Sequence, residues 1–179
     1  MDSSCQLDPS RITNRLALHA QHLDSAPHSN SQPTQPPLAM AARDPITCHV
    51  LNTLTGTPAA NLPVTLTLLT APASPSSPVT FRATTNADGR VAKWTPIGGP
   101  ATSVPEILAA LPTAESKTNW AVRFETGPWY EAQGIESFWP EVEVKFTVKG
   151  RGREGEEGWR HYHVPVLLGP WNYSTYRGS

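Results

Sequence analysis

In the run EVEVKFTVK, Val142, Val144, Phe146 and Val148 alternate strictly with Glu141, Glu143, Lys145 and Thr147. A period of two sends the four apolar side chains to one face of an extended strand and the polar ones to the other, which a helix with 3.6 residues per turn cannot do. One dry face has to be covered by a second layer. Other stretches carry the same signal. ITCHVLN and LPVTLTLL flank TLTGTPAAN, a turn-rich connection with Gly56 and Pro58, and read as consecutive strands. VTFRATT and RVAKW flank NADG, whose Asp-Gly predicts a hairpin because glycine accepts positive φ. WRHYHVPVLL follows after a glycine-rich, charged loop. Helical patterning is confined to SVPEILAAL, with a short turn near GPWYEAQG. Seven to eight short strands with turn chemistry between them and one short helix predict an all-β antiparallel sandwich.

The sandwich is expected to begin near Pro45. Residues 1–44 hold the low-complexity stretch SAPHSNSQPTQPPLA, which has too little apolar surface to offset its ordering entropy, and they read as a disordered extension before a folded domain of residues 45–179. That extension contains RITNRLALHAQHLDS, which has helical spacing with Leu16 and Leu23 on one face. Within it Arg15-Leu16, five residues, then His22-Leu23 match the second type of peroxisomal matrix signal, which an import receptor would read. The expected location is the peroxisome, with the cytoplasm as the alternative.

A net charge of -1 with 16% charged residues provides no basic face to neutralise phosphates, so a nucleic-acid partner is not expected. No stretch approaches the ~20 apolar residues of a membrane span, and the chain is expected to be soluble and not secreted. Its two cysteines, Cys5 and Cys48, make a poor disulfide framework and suit a reducing compartment.

Strand parity sorts the remaining candidates. In WRHYHVPVLL, Tyr162, Val164, Val166 and Leu168 form the core face, while His161, His163, Pro165 and Leu167 lie on the other. In ITCHVLN, Ile46, Cys48 and Val50 point inward and Thr47, His49 and Leu51 outward. Cys48 and His49 therefore cannot form a dyad, and Cys48 is a small buried hydrophobe. The loop GRGREG satisfies G-x-G-x-x-G formally, but a strand follows it where a dinucleotide site needs a helix, so it reads as a solvated hairpin. Three histidines remain on outer sheet faces, where only convergence would make them a site.

CHVLNTLTGTPA near the start of the domain, TNADGR in its middle and HYHVPVLLGPWNYSTYRGS flush with the end resemble the 5-hydroxyisourate hydrolase family of the transthyretin-like fold. The closing Tyr-Arg-Gly-Ser is that family's signature. The stretches at 71–79 and 96–117 look longer than is typical and read as surface insertions.

The resemblance implies hydrolysis of 5-hydroxyisourate to 2-oxo-4-hydroxy-4-carboxy-5-ureidoimidazoline in uric acid degradation, without cofactor or metal. It assigns His49 and His163 to activating and orienting water, Arg90 to substrate oxygens or the oxyanion, Tyr176 to hydrogen bonding the substrate, and Ser179 to a hydroxyl and carboxylate near the histidines. Arg177 would anchor the tail. It also implies a homotetramer, a dimer of dimers, in which the polar sheet face and the end of the chain meet another subunit. Two other readings use the same residues. His161 and His163 with His49 supply three imidazoles, enough for a catalytic zinc. A transthyretin-like carrier of a small ligand would instead need an open apolar channel.

Overall fold

The computed structural model describes residues 43–72, 78–98 and 102–178. The proposed targeting residues Arg15, Leu16, His22 and Leu23, and Ser179, lie outside them.

The described residues form ten strands in two five-stranded sheets. In chain order they are β1 (Ile46–Asn52), β2 (Thr57–Pro58), β3 (Pro63–Thr70), β4 (Val79–Thr84), β5 (Arg90–Val91), β6 (Thr95–Ile97), β7 (Lys117–Phe124), β8 (Val142–Lys149), β9 (Tyr162–Leu168) and β10 (Tyr173–Thr175). Eight have three residues or more, as the turn spacing predicts, while β2 and β5 are two-residue pairings along β1. The first sheet runs β10-β9-β1-β2, with β5 also on β1, and the second β6-β4-β3-β7-β8. Among the described residues two short helices are present where one helix and a turn are expected: α1 (Val104–Ala109) and α2 (Thr126–Glu131). Ser103 starts α1 with a reciprocal capping box, its backbone N–H donating to Glu106 Oε2 at 2.7 Å and its Oγ accepting from the Glu106 N–H at 3.4 Å.

The parity assignments hold across both sheets. Ile46, Cys48 and Val50 of β1 and Val164, Val166 and Leu168 of β9 are buried in one cluster with Leu66 of β3, Phe81 of β4, and Trp120 and Val122 of β7. Burial raises the Cys48 thiol to about 12, which makes it an inert core residue. Three of the core aromatic residues keep their polar atoms bonded. Trp94 Nε1 donates to the Ile46 carbonyl at 2.8 Å and Trp120 Nε1 to Thr118 Oγ1 at 2.8 Å. The Tyr130 hydroxyl sits 3.1 Å from both Asn52 Oδ1 and the Leu168 carbonyl. These bonds pair the polar atoms of three bulky core rings, whereas the buried Trp139 Nε1 beside the core has no partner among the described residues.

Three connections differ from expectation. NADG forms a tight turn, with the Gly89 N–H donating to the Asn86 carbonyl at 2.9 Å and the Asn86 N–H to the Arg90 carbonyl at 2.9 Å. It does not pair its flanking strands, because β4 joins β3 and β6 whereas β5 joins β1. The turn crosses between sheets. GRGREG likewise links β8 of the second sheet to β9 of the first and is a crossover, not a hairpin. The sandwich also contains one parallel pair, β1 with β9, among antiparallel ones. Parallel neighbours need a long connection, and here everything between Asn52 and Tyr162 provides it.

Candidate active site

The outward residues of β1 and β9 are brought together by that parallel register. Thr47 lies opposite His163 and His49 opposite Pro165, so Thr47, His49 and His163 share the outer face of the first sheet. On the other side of β1, the antiparallel register with β5 sets Arg90 directly opposite His49. Arg90 owes this position to Gly89. At φ +70 Gly89 presses its α-carbon against β1, where a β-carbon would collide with the Val50 carbonyl oxygen, and its own carbonyl accepts from the Val50 N–H at 2.8 Å.

Four rings form a row on this face. Trp159 and His161 lie 6.4 Å apart between centroids, His161 and His163 6.2 Å, and His163 and His49 6.4 Å, with interplanar angles of 19° to 25°. Near-parallel rings do not aim their nitrogen lone pairs at one point, and among the described residues no three His, Cys, Asp or Glu side chains are placed to share a metal ion. Thr47 sits beneath the row with only 6% of its surface exposed. Its Oγ1 is 2.8 Å from His163 Nδ1 and 3.0 Å from His161 Nε2. Parity places Thr47 outward, but nothing in the sequence marks it as the hydroxyl that joins two histidines.

All three imidazoles are held neutral. Burial lowers His163 to about 4, assisted by the Arg90 guanidinium and by His161, His49 and Arg43. Burial and Arg90 lower His49, with Asp88 acting in the opposite sense. Burial and Arg43 lower His161, opposed by Glu154. The field of Arg43 at the site is a contribution that sequence reading missed.

The sign of these shifts makes a testable statement. The unfolded chain binds protons at His163 near its ordinary value of ~6.5, whereas the folded chain does so only near 4. The folded state is therefore fully favoured above the unfolded value and loses stability as pH falls from about 6.5 toward 4. Denaturant midpoints should drop between pH 7 and pH 5, and the drop should shrink in His163→Asn. Equal slopes in the two proteins would contradict the depressed value.

The end of the chain returns to this site. After β10, which pairs antiparallel with β9 at the edge of the first sheet, the Gly178 N–H donates to the His163 carbonyl at 3.0 Å. A β-carbon on Gly178 would stand 2.7 Å from His163 Cδ2, so glycine lets the backbone lie against the ring. Arg177 holds its guanidinium 5.6 Å above the Tyr162 ring and anchors the segment. Tyr176 follows the last residue of β10, is 61% exposed, and lines a cleft of about 200 Å³ with His163, Phe146 and Lys145.

The fold and the site define a β-sandwich protein with neutral imidazoles and a guanidinium on an outer sheet face, an arrangement suited to handling a small polar molecule. The description HIUase/Transthyretin family matches residues 46–178. A probable 5-hydroxyisourate hydrolase of Schizosaccharomyces pombe is 38% identical over 135 residues, 75% of this chain and 90% of that protein. The 5-hydroxyisourate hydrolase of Mus musculus is 35% identical over 135 residues, 75% of this chain and 95% of its own. Transthyretin from Sparus aurata matches in structure with a TM-score of 0.53 at 23% identity, covering 76% of this chain and 97% of that one, a likeness that speaks for the fold. The chain belongs to the HIUase/transthyretin family.

Proposed function

We propose that this protein hydrolyses 5-hydroxyisourate to 2-oxo-4-hydroxy-4-carboxy-5-ureidoimidazoline in uric acid degradation. The observation that carries the reading is the register that sets His49 of β1 opposite Arg90 of β5 and leaves His163 on the same face, stacked 6.4 Å from His49. Family membership and the named relatives support the choice of substrate.

The chemistry follows from what the residues offer. The oxygen of water bonds to a ring carbonyl carbon, the carbonyl oxygen becomes an oxyanion, and the C–N bond then breaks as the ring nitrogen takes a proton. Neutral His49 and His163 orient the water and take up its proton, because a protonated imidazole has no lone pair to do so. Arg90 faces the developing oxyanion with a fixed charge and a planar set of donors. Tyr176 offers a phenol to the substrate, and Ser179 adds a hydroxyl. The half-buried row lies open on a single chain, and the reading closes it against a second copy within a tetramer of two-fold symmetry.

Purified protein should speed the ultraviolet decay of freshly made 5-hydroxyisourate above its spontaneous rate, without added metal and in the presence of a chelator, and should scatter light as a tetramer. Failure to accelerate would leave a carrier of the same fold. Loss of activity on chelation, restored by zinc, would point to a metal hydrolase. A fully active monomer would remove the shared-site assembly.

A further inference from the structure

We propose that Thr47 is a positioning residue whose hydroxyl joins His163 to His161 in a proton path leading away from the reacting centre; this rests on the reading of His163 as a water-activating group. A threonine hydroxyl has one hydrogen to donate. Bonded at 2.8 Å to His163 Nδ1 and at 3.0 Å to His161 Nε2, it donates to at most one of these nitrogens, and when it does so it accepts from the other. In that arrangement the two tautomers are coupled, both rings carrying hydrogen on Nδ1 or both on Nε2. If Thr47 donates to His161, then His163 carries its hydrogen on Nδ1 and presents a bare Nε2 to water. If Thr47 donates to His163, then His163 presents Nε2–H. Which nitrogen a histidine offers is set by the bond its other nitrogen makes, and here that bond goes to a hydroxyl that can reverse.

The reversal has a use. A proton arriving on His163 Nε2 meets a ring already disfavoured as a cation by burial, Arg90, His161, His49 and Arg43. Lys145 and Tyr176 also line the cleft at His163. His161 has only Arg43 against it and Glu154 in its favour besides its burial. The path balances in protons. Water gives one proton to His163 Nε2 as its oxygen bonds to the carbonyl carbon. The Nδ1 proton of His163 passes to Thr47 Oγ1, and the original Thr47 proton passes to His161 Nε2. His163 is then neutral again with hydrogen on Nε2, and His161 holds the charge farther from Arg90. When the C–N bond breaks, His163 Nε2–H protonates the leaving ring nitrogen and the same path runs backward, so no proton is gained or lost. Thr47 is 6% exposed, which keeps solvent from competing for its hydroxyl. The Trp159 ring lies near-parallel to His161, 6.4 Å away between centroids.

The test uses the full chain with Thr47→Val, which keeps the shape and removes the hydroxyl, Thr47→Ser, which restores it, and His161→Phe, which keeps the stacking but cannot hold a proton. Nitrogen NMR of labelled histidine should find His163 mainly as the Nδ1–H tautomer at neutral pH in the wild type, and as a mixture in Thr47→Val. With 5-hydroxyisourate, Thr47→Val should lower kcat by about 10- to 100-fold, the loss typical of removing an orienting partner, with KM little changed. Thr47→Ser should recover both the tautomer and the rate. His161→Phe should lower kcat as well, and the double variant should be no worse than the lower single, because both break one path. An unchanged kcat in Thr47→Val or His161→Phe overturns the path, as does an unchanged His163 tautomer without the hydroxyl or failure of Thr47→Ser to rescue. If the wild type does not speed the decay at all, the hydrolase reading fails and the catalytic path fails with it, whereas an active wild type with indifferent variants removes the path alone.

Discussion

Replacing His163 by alanine is expected to lower kcat/KM for 5-hydroxyisourate by ~10²–10⁴-fold, the range for a positioned acid–base group, while the protein remains folded. The two effects separate because of where the ring sits. His163 belongs to β9, but its side chain stands on the outer face and lies outside the core cluster built by Val164, Val166 and Leu168 of the same strand. Alanine there opens no core cavity. It removes the bond to Thr47 Oγ1 and the packing of Gly178 against the ring, losses of about 1 kcal/mol for the hydrogen bond. His49→Ala should behave the same way in rate, since its ring is also outside the core and stacks on His163. Rate measurements are to be read beside thermal midpoint and light scattering. Near-wild-type kcat/KM in both alanine variants would remove the histidines from the chemistry, whereas loss of rate together with loss of the proposed tetramer would make them interface residues.

Gly89→Ala should be the most damaging single-methyl change in the site region, although Gly89 has no side chain to contribute. Two penalties act together. A non-glycine residue at φ +70 costs about 1–2 kcal/mol, and the new β-carbon would be driven into the Val50 carbonyl oxygen and within 3.1 Å of the Ala59 nitrogen. Backbone atoms of a central strand cannot step aside as a flexible side chain can. Relief requires β5 to part from β1, which breaks the Val50 N–H bond to the Gly89 carbonyl and moves Arg90 from its place opposite His49. The expected result is destabilisation by roughly 3 kcal/mol or more, with most of the activity lost even where the protein still folds. Gly56→Ala is the control, because Gly56 has φ +71 with nothing within 4 Å of an added β-carbon, so only the conformational penalty applies. Denaturant midpoints in the two variants that fall equally would show that the close approach at Gly89 is not what seats Arg90.

Much of this architecture is legible in the amino-acid order because it depends on local rules. The alternation in EVEVKFTVK became β8, with Val142 and Val148 buried at its ends, and the expected span ITCHVLN became β1 residue for residue. The capping box at Ser103 and Glu106 marks the start of a helix that SVPEILAAL already suggests. His49 and His163 could be assigned to outer faces before any partner was known. Arg90 could be named only through the resemblance, since after a tight turn an arginine is ordinarily just an exposed residue.

The site residues were harder to relate to one another. Asp-Gly in NADG correctly signalled a tight turn, but a turn specifies only the angle at which the chain leaves it. Whether β5 returns to β4 or crosses to β1 depends on which surface takes its one buried side chain, Val91, and that surface is β1 beside Cys48. The same holds for GRGREG, whose glycines permit a sharp path without choosing a sheet.

Period-two parity and φ preference act within a few residues, so the order of side chains alone settled which residues of each strand face the core and that the chain turns at NADG. Strand pairing acts between segments more than a hundred residues apart, and Thr47 meets His161 and His163 across 114 and 116 positions. No local preference encodes that distance. The parallel register of β1 on β9, which turns two separate outward histidines and an unremarked threonine into one hydrogen-bonded row, arose because both strands had to bury their inner faces against β3 and β7 at once. The shared burial of the two inner faces selected the partner and the register, and through them the site.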